Sequence, residues 1–273
     1  MNKRCLIIPA FNEEENIVSV IEGVKKNSEA DIIVIDDGSA DQTVKRAKEA
    51  GALVISHPFN MGYGTTLQTG YKYAVKKKYD FLVQIDGDGQ HDPKYILALF
   101  REVEAGRCDV AIGSRFLSEG HYPLSALKWM GIHLLRFATR FFIREKITDP
   151  TSGYQCLKRD VFKVFTKDIF PSDYPDANMI ILLHWMAFQI KEIPVAMRPN
   201  REGRSMHEGI FTVMYYFFKM FLSLVIALIR GKSGSKQRIQ GFTTRPKKAG
   251  NKKYSRGRVS EPLSPNPLGE EPY

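Results

Sequence analysis

Cysteine is scarce. The three present in 273 residues, Cys5, Cys108 and Cys156, lie far apart and form no CxxC pair. A disulfide framework is therefore not expected, and the three are read as reduced core residues of a cytosolic protein. A secretory leader is also missing: the short apolar run Cys5-Leu6-Ile7-Ile8 stops at Pro9 and three glutamates follow, so the domain is expected not to be secreted. The glycine motif Asn60-x-Gly62-x-Gly64 lacks the third glycine of a dinucleotide fingerprint and the Lys-Ser or Lys-Thr ending of a P-loop. It resembles a phosphate cradle at a helix start, but a weak one. No repeat at a solenoid period is visible.

Acidic residues are sparse at the carboxyl end. From position 231 to 273, ten Lys or Arg stand against three Glu, so +7 of the net charge of +10 belongs to this segment. A basic, disordered tail therefore accounts for the high pI, and charge says little about what the rest of the chain binds. The overall composition, 43% apolar and 26% charged, suits one globular domain with appendages.

Short β-branched runs at 5–8, 32–35, 53–55, 81–85 and 110–112 alternate with helical patterns near 14–26, 43–50, 65–77 and 94–105. This rhythm predicts an α/β fold with a parallel sheet covered by helices on both faces. The unusual residues gather in the loops at the ends of these strands, where open α/β sheets build their sites.

Asp86-Gly87-Asp88-Gly89-Gln90-His91 follows the strand pattern at 81–85. Two carboxylates one residue apart, with glycines that let the backbone approach, suit a divalent cation that in turn holds a diphosphate. An EF-hand loop is excluded, because Leu97 stands where its final Glu belongs and the flanking pattern is strand then helix. Pro9-Ala10-Phe11-Asn12-Glu13 and Asp36-Asp37-Gly38-Ser39 close the first two strands. Phe11, Glu13 and Asp37 there offer an aromatic wall and carboxylates for a nucleobase. Asp41 and Thr43 are read as local residues of a helix start.

Two stretches are strongly apolar. Between 124 and 144, apolar residues keep helical spacing while Lys128, Arg136, Arg140 and Arg144 recur on one side, giving a basic amphipathic helix that either binds a membrane surface or packs on the core with a solvated cationic face. Residues 210–229 are long enough to cross a bilayer, but Lys219 near their middle favours a helix lying in the interface.

The ordered set Pro-Ala-Phe-Asn-Glu, Asp-Asp-Gly-Ser, Asn-x-Gly-x-Gly, Asp-x-Asp-Gly-Gln-His, Gly113-Ser114-Arg115 and Asp149-Pro150-Thr151-Ser152-Gly153-Tyr154 resembles family 2 glycosyltransferases with the GT-A fold. Within them it is similar to polyprenyl-phosphate sugar transferases of the dolichol-phosphate mannose synthase type. The resemblance covers about residues 3–206 and implies a Rossmann-like GT-A domain with a mostly parallel sheet at 1–208, a membrane-associated apolar segment at 209–230, and the tail at 231–273. It also implies that Pro9, Phe11, Glu13, Ile35 and Asp37 hold the donor base and ribose. Asp86, Gly87 and Asp88 would face the diphosphate, with Asp86, Asp88 and Gln90 around Mg²⁺ or Mn²⁺. Arg115 would meet phosphate and Lys128 would assist at the acceptor. Gly203-Arg204-Ser205 matches a loop that folds over the donor through Ser205. The family's Arg and Lys around that loop are Asn200 and Met206 here, which leaves Arg201 or Arg204 to compensate.

The implied reaction is an inverting displacement in which a lipid phosphate attacks the sugar of a nucleoside-diphosphate sugar. A phosphate acceptor needs no base, whereas a sugar hydroxyl of a cell-surface polysaccharide or lipid-linked glycan would, with Asp176 or Asp149 as candidates. A nucleotidyltransferase would need a Gly-rich stretch with Arg and Lys near the first strand, which is absent. A nucleic-acid binder using the tail would want more aromatics for stacking. The expected location is the cytoplasmic face of a membrane.

Overall fold

The structure, a computed structural model, describes residues 2–118, 126–143, 146–171, 175–198 and 222, with the side chains of residues 126–128 outside that set. Five strands carry the expected parallel rhythm: β1 (Arg4–Ala10), β2 (Asp31–Asp36), β3 (Leu53–Ser56), β4 (Phe81–Gln84) and β5 (Val110–Ser114). Between them run α1 (Ile17–Asn27), α2 (Thr43–Glu49), α3 (Tyr63–Lys76) and α4 (Ile96–Glu104). The second half adds α5 (Ala126–Ile143), β6 (Gln155–Lys158), α6 (Arg159–Phe165), α7 (Ala177–Trp185) and β7 (Ile190–Pro194).

The sheet order is β3-β2-β1-β4-β6-β5-β7. The sheet is mostly parallel, as the resemblance implies: β6 sits antiparallel between β4 and β5, while the other pairings are parallel. Sequence pattern hid β6 because Gln155-Cys156-Leu157-Lys158 offers only two apolar residues. It hid β7 because charged residues interrupt that strand and proline ends it.

Alternation along the strands divides the core in two. In β1, Cys5 and Ile7 face α3, α6 and α7, whereas Leu6 and Ile8 face α1 and α4. Helix α7 is buried almost all round, Ala177 through Leu183, which erases the amphipathic signal a surface helix would show. All three cysteines are buried free thiols, and burial pushes the Cys108 thiol up to about 11. Among the described residues no helix is long and apolar enough to cross a membrane. Residues 210–229 are outside that set apart from Leu222, as is the tail.

Candidate active site

The topology gathers seven chain segments at one edge. Strands β1 to β5 and β7 end there, and β6, running the other way, begins there. The antiparallel strand therefore delivers loop 149–154 to the same edge as Asp86 and Arg115.

At the β1–β2 corner, Asn12 stands at φ 55, a left-handed conformation that asparagine tolerates better than most residues. Its N–H donates to Ser39 Oγ (2.9 Å) and its Oδ1 accepts from Ala40 N–H (2.9 Å). Glu13 N–H donates to Thr43 Oγ1 (2.8 Å), and Asp41 accepts from the N–H groups of both Thr43 (2.9 Å) and Glu14 (3.1 Å). Asp41 and Thr43 thus serve the helix start and also lace the two strand ends together. Phe11 stays 44% exposed, which leaves its ring available as a wall. Pro9 lies in β1, and an added Cβ on Gly87 would come within 3.0 Å of its carbonyl oxygen. Ile35 is not on this surface: its side chain is enclosed in the core beneath Gly70.

Asp37 is 4% exposed and its carboxylate accepts from Met61 N–H (2.9 Å), Gly62 N–H (2.9 Å) and His57 Nδ1 (2.8 Å). The Asn60–Gly64 segment is therefore a cradle whose anion is the protein's own Asp37. The amides that resemble a phosphate site are occupied by that carboxylate. Gly62, at φ 95, supplies the backbone conformation that opens α3.

Asp86 and Asp88 follow β4. Tyr63 OH donates to Asp86 Oδ1 (2.8 Å), and Asp86 N–H donates to His91 Nδ1 (3.1 Å), with the His91 ring stacked on Tyr154. Gln90 holds Asp88 twice, through its N–H (2.9 Å) and through its side-chain amide. Burial raises the Asp86 carboxyl, with the Asp88 charge adding to it and His91 and Arg115 opposing. Burial likewise raises Glu13, to which Asp88 and Asp86 contribute negative potential. Among the described residues no three His, Cys, Asp or Glu side chains form a metal cage by themselves. The donor set is that of a hard cation taking one or two carboxylates from the protein and its remaining oxygens from a diphosphate, as Mg²⁺ commonly does.

Arg115 follows β5. Its Nε donates to Asp149 Oδ2 (2.7 Å) and its Nη2 to Asp149 Oδ1 (3.0 Å) and Thr151 Oγ1 (3.0 Å). Asp149 is fully buried and serves this pair rather than presenting a base to solvent. Glu192 on β7 accepts from the N–H groups of Thr148 and Asp149, at 2.8 and 2.7 Å, and so fixes the loop that carries Asp149. Burial raises the Glu192 carboxyl. Gly153 completes the loop: a Cβ there would stand 3.0 Å from Asp86 Oδ2 and 3.1 Å from the Tyr63 hydroxyl.

Asp176 precedes α7, and its charge raises the Tyr63 hydroxyl behind the larger effects of burial and Asp86. Arg201, Ser205 and the Lys128 side chain lie outside the described residues. The chain reaches Arg198, whose N–H donates to the Gln90 carbonyl (2.8 Å), so the segment expected over the donor departs from beside the acidic loop. Tyr63, His91, Gly153 and Glu192 were not singled out in the sequence. Three of them sit inside motifs that were, and no sequence signal marks Glu192.

Known proteins fit this geometry. The family model "Glycosyl transferase family 2" matches residues 5–165. A polyprenol monophosphomannose synthase of Mycolicibacterium smegmatis is 30% identical over 218 residues, covering 75% of this chain and 80% of its own. A UDP-N-acetylglucosamine–dolichyl-phosphate N-acetylglucosaminyltransferase of Methanococcus voltae is 28% identical over 209 residues, covering 70% and 83%. The crystal structure of glucosyl-3-phosphoglycerate synthase from Mycobacterium tuberculosis with Mn²⁺, UDP and glucosyl-3-phosphoglycerate superposes at a TM-score of 0.63 and 19% identity, covering 83% of this chain and 80% of that one. That likeness establishes a shared GT-A-like fold. With the match spanning more than half of its length, the chain belongs to glycosyltransferase family 2.

Proposed function

We propose that this glycosyltransferase moves a sugar from a nucleoside-diphosphate sugar to a polyprenyl phosphate, undecaprenyl or dolichyl, with inversion and with Mg²⁺ or Mn²⁺, at the cytoplasmic face of a membrane. The observation that carries the reading is a single loop that touches both charged groups: Thr151 Oγ1 accepts from Arg115 Nη2 (3.0 Å), while Gly153 abuts Asp86, whose carboxyl feels the charges of both Asp88 and Arg115. Support also comes from the relatives named for polyprenol and dolichyl phosphate transfer, and from a fold relative crystallised with Mn²⁺ and UDP and separately with Mg²⁺ and UDP.

The cation, when bound by Asp86 and Asp88 with Gln90 nearby, supplies positive charge to the leaving diphosphate. Phe11, Glu13 and Asp37 flank the base end, Asp37 by holding the 60–62 loop in place. Arg201 and Ser205 would close over the donor, and Arg115 with Lys128 would orient the acceptor phosphate. An acceptor oxygen attacks the anomeric carbon as the bond to the diphosphate breaks, and the electron pair leaves with the nucleotide. A phosphate monoester with a second pKa near ~6 is already largely dianionic at neutral pH, so no base is required.

A second reading, transfer to a sugar hydroxyl, is favoured by one observation: Asp176 lies close enough to the site for its charge to be felt at Tyr63. The discriminating experiment offers UDP-, GDP- and dTDP-sugars with Mg²⁺ or Mn²⁺ and either lipid phosphate. Metal-dependent formation of a lipid-linked sugar, retained in Asp176→Asn, is the expected result. No lipid product with any donor, or loss of nearly all turnover in Asp176→Asn, overturns the phosphate-acceptor reading.

A further inference from the structure

Strand β4 ends on a polar residue that the chemistry described so far does not use. Gln84 is enclosed in a strand whose four residues are all buried, and a buried amide needs partners for both its oxygen and its nitrogen. Both partners come from one helix. Tyr71 OH lies 2.6 Å from Gln84 Oε1, and Tyr63 OH lies 3.1 Å from Gln84 Nε2. The two tyrosines stand eight positions apart on α3, about 12 Å along its axis, and their hydroxyls converge on the amide from either end. Gly70 permits this approach: α3 lies so close to the sheet that a Cβ there would stand 3.1 Å from the Ile7 side chain. The Tyr71 ring is fixed in turn against Phe165 and Phe170, with centroids 5.3 and 5.5 Å away.

The direction of every hydrogen bond in this row is fixed from its far end. Tyr63 OH is also 2.8 Å from Asp86 Oδ1, and an ionised carboxylate only accepts, so the Tyr63 proton goes to Asp86. The Tyr63 oxygen is then an acceptor, which turns Gln84 Nε2 toward it and Gln84 Oε1 toward Tyr71, whose hydroxyl donates. Burial, and after it the Asp86 charge, raises the Tyr63 hydroxyl well above its ordinary value, so it remains a donor. With Oδ1 engaged, Asp86 Oδ2 stands 3.8 Å from His91 Nε2, beyond hydrogen-bond reach, and the side chain keeps 28% of its surface accessible.

We propose that Tyr63 is a positioning residue for the transfer reaction: backed by Gln84 and Tyr71, it holds Asp86 by Oδ1 and leaves Oδ2 to the divalent cation. The row carries no charge and acts through Asp86 alone. An aspartate at the end of a strand turns about two side-chain bonds, and a donor on a ring anchored in α3 removes that freedom before a cation arrives. Tyr71 contributes by orienting the Gln84 amide. Without its hydroxyl, Gln84 is free to turn its oxygen toward Tyr63 and draw the proton away from Asp86. The proposal rests on the reading of Asp86 as a cation ligand.

The test measures Mn²⁺ binding to the full chain, by loss of the free-ion electron paramagnetic resonance signal, with UDP and separately with GDP. Tyr63→Phe keeps the ring and removes the donor, and its Kd for Mn²⁺ should rise at least about tenfold, the scale of a lost partner behind a metal ligand. Tyr71→Phe should raise the Kd by a smaller factor. In the double variant the Kd should match that of Tyr63→Phe, because Tyr71 acts only through Tyr63, whereas independent packing effects would multiply. Melting temperatures recorded alongside separate this from a structural role, which would lower them and leave the Mn²⁺ Kd unmoved. Unchanged or tighter Mn²⁺ binding in Tyr63→Phe overturns the proposal, as does a double variant whose loss is the product of the single ones. Should Tyr63→Phe fail to fold, Tyr71→Phe decides, and an unchanged Kd there overturns it. A parent that binds no Mn²⁺ with either nucleotide overturns the cation reading itself, a result distinct from binding that the variants leave unmoved.

Discussion

Arg115 and Asp149, separated by 34 positions, meet as a fork: Nε to Oδ2 at 2.7 Å and Nη2 to Oδ1 at 3.0 Å, with Asp149 fully enclosed and Arg115 largely so. The pair orients a guanidinium at the sheet edge, and Asp149 has no water to fall back on. Removing one partner of such a buried pair leaves the other uncompensated. Asp149→Ala is expected to lower the unfolding free energy by about 3–5 kcal/mol in a urea titration. Arg115→Lys, which keeps the charge but not the fork, should leave the fold and raise the acceptor KM. An unchanged urea midpoint in Asp149→Ala would show that the pair does not hold this corner.

Asp88 is held by Gln90 at the rim rather than in the core, so its loss should spare the fold. Asp88→Ala should cut metal-dependent sugar transfer on the order of 10³-fold, the scale of a lost charge-stabilising group. Circular dichroism should remain that of the parent. Full activity in this variant would remove the acidic pair from the chemistry.

Asp37 binds the Met61 and Gly62 amides and His57 from a position with almost no solvent access. In Asp37→Ala those donors are left unanswered, at about 1–3 kcal/mol each if they stay dry. The expected outcome is a lower melting temperature together with weaker nucleotide binding by calorimetry. A variant that melts like the parent would mean the 60–62 loop has another anchor.

Gly153 has room for hydrogen only. In Gly153→Ala the new methyl would stand 3.0 Å from Asp86 Oδ2 and 3.1 Å from the Tyr63 hydroxyl, and the carboxylate must give way. Turnover is expected to fall about tenfold, since small misplacements at a reacting centre cost that much or more. The melting temperature should move little. Equal kinetics in parent and variant would indicate that Asp86 need not stay where it is.

Glu102, at the end of α4, accepts from Arg107 Nε (2.8 Å) and Lys191 Nζ (2.7 Å). The Arg107 hydrogen bond first, and then Lys191, pull its carboxyl from 4.5 down to about 2. The folded chain therefore releases this proton more readily than the unfolded chain. Its stabilisation is present above the unfolded value near 4.5 and is lost as pH falls toward about 2. The stability gap between the parent and Glu102→Gln should narrow across that window in denaturant titrations. A gap independent of pH would place the effect elsewhere than in the ion pairs.

Much of the first half is legible without coordinates. The β-branched runs of β1 to β5 are short, bounded by turn residues and spaced by amphipathic helices. Local chemistry suffices for such elements, and it also places Asp86, Asp88, Phe11 and Arg115 after strands. The second half is less readable. Helix α7 is apolar on every side, and β6 and β7 carry polar residues whose partners are distant.

The sequence by itself determined the strand–helix alternation, the free buried cysteines and the clustering of acidic and aromatic residues at strand ends, because each follows from side-chain pattern within a dozen positions. The tertiary structure alone decided that β6 runs backward between β4 and β5, that Asp37 fills the cradle of the 60–62 loop, and that Asp149 is enclosed against Arg115. Each depends on groups 20 to 77 positions apart, from Asp37–His57 to Phe81–Lys158. Their partners are chosen only when the assembled sheet shuts out water and every enclosed charge or amide must find a neighbour.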